Sequence, residues 1–126
     1  MPNLILNLTA EKKIKHNINL SSLGRILSTR LKQKTACSAK VNIFLISADK
    51  IKTLNRKWRQ IDKVTDVLSF GQAVVPGQRI RELGDIFICF RQAGKQAKDH
   101  GHSLQLEIEF LADHGLKHLL GIHHDE

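Results

Sequence analysis

VNIFLI, residues 41–46, is short, rich in β-branched residues and apolar on both faces. A strand with one face in water alternates polar and apolar residues; this one does not, which predicts a central strand covered on both sides. Toward the N-terminus, Leu20, Leu23, Leu27 and Leu31 recur at helical spacing and predict a helix with an exposed basic face, while residues 3–8 alternate weakly as a first strand. Toward the C-terminus, Ser47 is placed to cap a short helix carrying Ile51, Leu54 and Trp58 on one side. Residues 64–70 and 83–90 read as two further strands, punctuated by the polar stretch that begins at Pro76. Residues 91–98 read as helical. A last apolar stripe of Ile108, Leu111, Ala112, Gly115 and Leu119 starts after Ser103 and ends at Gly121, a residue type suited to the position just past a helix. The order strand, helix, strand, helix, two strands, then helices predicts an α+β domain, a small mixed β-sheet with helices packed against it, with α/β as the alternative.

The totals agree with one domain over residues 1–126, long enough to bury a single core without disulfides or metal. A hydrophobic fraction of 41% with 25% charged residues excludes generic disorder. No apolar run approaches the roughly 20 residues of a membrane span, and MPNLILNLTAEKK lacks the pattern of a secretory signal, so a cytoplasmic protein with no membrane partner is expected. Cys37 and Cys89 are outside any CxxC spacing and are both assigned to the core. A formal charge of +8 favours a polyanionic partner, nucleic acid or an anionic membrane surface. The charge is polarised: residues 11–34 hold seven Lys or Arg and one acid, residues 50–63 hold six and one, and residues 99–126 hold six acids and one Lys. Six of the seven histidines fall inside that acidic end.

Residues 114–124 read HGLKHLLGIHH. Four residues advance a helix by about one turn, so His114 and His118 share a face with their rings close enough to share an ion. Gly121 ends the helix and lets the chain return, delivering His124 as a third ligand and leaving a fourth tetrahedral position for water. This is the layout of a catalytic zinc site at the end of the last helix, with one Zn2+ per chain. Water held there has its pKa lowered to about 7. The spacing H-x-x-x-H-x-x-G-x-x-H is that of the extended zinc-peptidase motif H-E-x-x-H-x-x-G-x-x-H. Where that motif carries its general-base Glu this chain has Gly115, which disfavours a metal-dependent peptidase. His123 fits the spacing less well than His124 and is assigned to the surface or to a supporting role.

Residues 54–70, LNRKWRQIDKVTDVLSF, join a basic helix end to a strand. Arg56 and Arg59 offer planar paired donors that match two phosphate oxygens and stay charged, which suits the charge developing on a scissile phosphodiester; either one alone also reads as an ordinary surface residue. Trp58, at helical spacing from Leu54, is assigned to the core in preference to a base-stacking platform. Thr65 and Asp66 are read as setting a turn or cap.

Taken in order, LNRKWRQIDKVTDVLSF, LGDIFIC and HGLKHLLGIHH resemble the YbeY-type family of bacterial metal-dependent endoribonucleases, over most of the chain from residue 54 to residue 124. The resemblance implies an α+β fold, zinc on three histidines corresponding to His114, His118 and His124, and Arg59 as the catalytic arginine that binds phosphate or stabilises the transition state. It implies cleavage of single-stranded RNA, small-subunit rRNA 3′-end maturation and ribosome quality control, with the small ribosomal subunit and its maturation factors as partners. The chain departs from the family at Lys117, usually leucine, at Ile122, usually aromatic, and at His123, usually aspartate, where a second histidine can compete with His124 for metal. The family also continues into a further C-terminal helix, which the sequence ending two residues after His124 is expected to lack. A non-catalytic, metal-stabilised RNA- or ribosome-binding assembly factor is the rival reading.

Overall fold

The stretch 41–46 lies in the interior of a sheet, as its two apolar faces predict. The computed structural model describes residues 3–121. Strand β2 (Ser38–Ile46) pairs in parallel with β1 (Leu4–Ala10) on one side and with β4 (Ile80–Cys89) on the other. Strand β3 (Val67–Gly71) runs antiparallel to β4, giving the order β1-β2-β4-β3, a mixed four-stranded sheet with β1 and β3 at its edges. Helices α1 (Leu20–Lys34), α2 (Ala48–Arg59), α3 (Phe90–His100) and α4 (Leu104–Leu119) complete the α+β domain.

Alternate residues of a strand face opposite sides, and the two sides of β2 carry different loads. Ala39, Val41, Ile43 and Leu45 are fully buried in one core with Leu23, Leu27 and Leu31 of α1, Ile86 and Ile88 of β4, and Ile108, Leu111, Ala112 and Leu116 of α4. Each leucine so buried contributes roughly 1.5–3 kcal/mol of transfer free energy, which makes the regular spacing of α1 the main reason that helix docks. On the opposite side Ile46, Leu68 and Cys89 are buried with Ile51 of α2, and Phe44, Phe70 and Phe87 lie half-buried beside them. Ser47 caps α2 as the sequence predicts, its hydroxyl accepting from the Lys50 amide (3.2 Å), and Ser103, after which the last apolar stripe starts, caps α4 through the Leu106 amide (3.1 Å). Gly121 follows α4 at φ +77, the left-handed geometry expected of it.

Tertiary context overrides two expectations. Trp58 is 57% exposed: α2 ends one residue later, over an edge strand, and among the described residues no further strand lies beyond β3 for the indole to cover. Cys37 is exposed in the connection from α1 to β2, whereas Cys89 is buried at the end of β4. Burial pushes the Cys89 thiol up from its ordinary value, so it serves as a neutral packing group and not as a nucleophile. The strand expected from residue 64 begins at Val67, and Asp66 before it ties the loop to the rest of the domain. Its carbonyl accepts from the Cys89 amide (2.8 Å) and its carboxylate from Gln96 Nε2 of α3 (3.2 Å), in keeping with the turn-setting role read for it.

Three acids of the C-terminal part, Glu107, Glu109 and Asp113, are consumed inside the fold. Glu109, 5% exposed, accepts from Ser22 Oγ (2.5 Å) and Gln105 Nε2 (2.9 Å), and Asp113 receives a two-pronged contact from Arg30 of α1 at 3.0 and 3.1 Å. That pairing, chiefly its hydrogen bonds, holds the Arg30 guanidinium above its ordinary pKa and pins α4 to α1. No helix among the described residues is long and apolar enough to cross a membrane.

Candidate functional site

Strand β3 organises the site because consecutive residues of a strand point to opposite sides. Ser69 lies opposite Ile86 of β4 and so faces α4; Phe70 faces the end of α2. The Ser69 hydroxyl meets Nδ1 of His118 at 2.7 Å. Its backbone is also engaged. Antiparallel ladders alternate, and the bonds Cys89 N to Asp66 O and Gln72 N to Leu83 O set a phase that turns the Ser69 carbonyl outward from the sheet edge. There it accepts from Arg59 Nη2 at 2.8 Å, while the Arg59 guanidinium lies 4.9 Å over the Phe70 ring. One residue thus joins the two candidates that the sequence places 59 residues apart by number, Arg59 and His118. The loop after α2 is held for this purpose by Asn55, 4% exposed, which donates to the Lys63 carbonyl (3.0 Å) and whose own carbonyl accepts from the Ile61 amide (3.3 Å).

His114 and His118 sit one turn apart on the exposed side of α4, as the helical period requires. Between them Gly115 is buried, and a Cβ there would lie 2.9 Å from Ile86 Cγ2. No side chain fits at that position, so the glutamate of the zinc-peptidase motif has no place in this packing. The third expected ligand, His124, and its neighbour His123 lie outside the described residues. The contact of Ser69 at Nδ1 of His118 leaves Nε2 as the ring nitrogen that could ligate a metal, the arrangement by which outer contacts orient a ligating histidine.

Among the described residues a second group has the donors to hold a metal ion: His100, His102 and Glu107, whose ligand atoms all lie within 4.8 Å of one another. Glu107 is 2% exposed, and its Oε1 lies 2.5 Å from His102 Nε2 and 3.3 Å from His100 Nδ1. Two ligands of one tetrahedral zinc sit roughly 3.3 Å apart, given bonds of about 2.0–2.1 Å. At 2.5 Å the His102–Glu107 pair is hydrogen-bonded instead, a staple across the α3–α4 turn that satisfies a buried carboxylate. The pair must move apart to take a cation. The sequence signal for this group was a histidine on each side of Gly101 with a glutamate five residues after His102; for Ser69 it was a polar residue at an inward-facing position of an otherwise apolar strand.

The comparisons with known proteins identify the family. The family model described as Endoribonuclease YbeY matches residues 5–126. A protein named endoribonuclease YbeY from Acholeplasma laidlawii is 46% identical over 87 residues, covering 68% of this chain and 61% of its own length. One of the same name from Dehalococcoides mccartyi is 34% identical over 135 aligned positions, covering 96% and 81%. The solution structure of TM1509 from Thermotoga maritima matches at a TM-score of 0.60 and 27% identity over 96% of this chain and 75% of that one. The first curated relatives are matched over 50% to 74% of their own lengths, so the chain spans less than two thirds of most of them. With the family model matched across nearly its whole length, and relatives of that name aligned along it, the chain belongs to the YbeY family.

Proposed function

We propose that the chain is a zinc-dependent endoribonuclease acting on single-stranded RNA, with one Zn2+ held by His114, His118 and His124 and with Arg59 as the catalytic arginine. On this reading it works in the cytoplasm, in small-subunit rRNA 3′-end maturation and ribosome quality control, with rRNA, the small ribosomal subunit and its maturation factors as partners. The observation that carries the reading is Ser69, bonded at its hydroxyl to His118 and at its carbonyl to Arg59. A zinc ion on three imidazoles supplies Lewis acidity and an acidified water, the two things hydrolysis of a phosphodiester needs at neutral pH. Arg59 presents paired donors for a phosphate oxygen pair, and its anchor on Ser69 and Phe70 removes side-chain freedom before substrate arrives. Lys52, Arg56 and Lys57 of α2 and Lys63 of the loop after it are exposed and attract the RNA backbone.

Arg59→Ala is expected to retain its zinc and to cleave labelled single-stranded RNA about 10²- to 10³-fold more slowly, the usual cost of removing one donor to a developing charge. Arg59→Lys should recover little, because an ammonium lacks the paired planar donors. Cleavage by Arg59→Ala at the parent rate would remove Arg59 from the chemistry. A parent chain with full zinc that binds RNA and never cuts it would leave the assembly-factor reading in place. Ser69→Ala is expected to weaken zinc binding about 10- to 100-fold, measured by competition with a chelating dye, since the His118 ring loses the contact that orients it. Unchanged zinc affinity in that variant would show that the Ser69 hydroxyl does not tune the metal.

A further inference from the structure

Trp58 is the one tryptophan of the chain, and it stands 57% exposed where a large apolar ring gains nothing from water. It is held in place. The indole meets the Phe70 ring edge-on, with centroids 6.4 Å apart at 65°; Phe70 meets Phe87 at 5.9 Å and 71°; Phe87 stacks on Phe44 at 4.8 Å and 15°. Trp58 is therefore the exposed end of an aromatic row anchored across three strands. Its surroundings are cationic: Lys57 Nζ lies 5.2 Å over the indole, Arg59 follows it in sequence, and among residues 50–63 Asp62 is the single acid.

We infer that Trp58, backed by Phe70, is a nucleobase-stacking subsite for single-stranded RNA, placed so that a nucleotide stacked on the indole has its phosphate within the field of Lys57 and Arg59. This deepens the ribonuclease reading and rests on it. The charge favours RNA over a protein partner, because a base brings an aromatic face for the indole and a phosphate for the cations in one unit. Every base has a π-face, so the subsite confers affinity for unpaired strands with little base preference; bases inside a duplex are stacked on each other and are not presented to it. Lys57 lies exposed above the indole, and an arriving base displaces its ammonium toward the neighbouring phosphate.

Because Trp58 is the sole indole, its fluorescence reads the subsite directly. The zinc-loaded chain is titrated with a short single-stranded oligoribonucleotide, 2′-O-methylated to block cleavage, following Trp58 emission and, with a labelled copy, anisotropy. Emission should be quenched along the same curve as the anisotropy rises, and an abasic ribose-phosphate strand should bind without quenching. Trp58→Ala should bind the oligonucleotide about tenfold more weakly, and Trp58→Phe should keep most of the affinity. Emission unmoved at saturating RNA, or equal affinity in a folded Trp58→Ala, overturns the subsite; if that variant does not fold, the parent's emission and Trp58→Phe decide the matter alone. Cleavage of unmodified RNA by the parent is scored separately. Cleavage without quenching sinks the subsite and spares the nuclease reading, whereas quenching without cleavage keeps the subsite and sinks the nuclease.

Discussion

A chain carrying both His114→Ala and His118→Ala is expected to purify almost free of zinc and to lose RNA cleavage by about three orders of magnitude or more, since a metal contributes several kcal/mol of charge stabilisation at 1.36 kcal/mol per tenfold. The fold should survive. Both histidines are on the exposed side of α4, and alanine is the best helix former, so circular dichroism should match that of the parent. Stripping the parent with a chelator should have the same effect on cleavage, reversed by added zinc. The decisive control is Glu107→Gln, which disrupts the His100–His102–Glu107 staple and leaves α4's C-terminal end untouched. It should keep one zinc per chain. The opposite pattern, zinc retained by the double histidine variant and lost by Glu107→Gln, would move the metal to the α3–α4 turn and overturn the assignment.

Gly84→Ala is expected to be the most damaging single methyl group in the sheet. Gly84 has φ +133, and a Cβ added there would lie 2.1 Å from the Phe70 carbonyl oxygen and 3.0 Å from Gly71 Cα. The position is a bulge: Glu82 pairs with Lys40 and Gly84 with Val41, so Leu83 is the extra residue. A side chain must either strain a conformation that suits glycine or push β3 off β4. Backbone strain and the lost ladder together should cost about 3–5 kcal/mol, a large part of the roughly 5–15 kcal/mol that stabilises an ordinary domain. Urea unfolding of the parent and the variant measures this directly. Because Phe70 and Gly71 are the residues that a side chain would displace, and Ser69 adjoins them, whatever Gly84→Ala remains folded should also lose RNA cleavage more than stability alone explains. A variant as stable as the parent would mean the bulge relaxes freely.

Much of this protein is legible residue by residue because secondary structure is a local property. The apolar run at residues 41–46, the leucine spacing of α1, the cap Ser47, the start of α4 after Ser103 and the stop at Gly121 each depend on neighbours within a turn or two, and each stands where the sequence predicts. The shared face of His114 and His118 is legible for the same reason, as the helical period alone sets it. What the tertiary structure decided is long-range. Nothing near Trp58 in sequence reveals that β3 is an edge strand among the described residues, which leaves the indole in water instead of in the core. Nothing near Cys37 shows that its connection lies outside. Three of the six acids counted at the C-terminal end, Glu107, Glu109 and Asp113, prove to be spent on two histidines, Ser22 and Arg30, drawn from other elements or turns. Ser69 is the clearest case. Its side chain reaches α4 and its carbonyl reaches α2 only because an edge strand turns one side to each helix and every second carbonyl outward, a consequence of sheet order that exists in no segment of the sequence taken by itself.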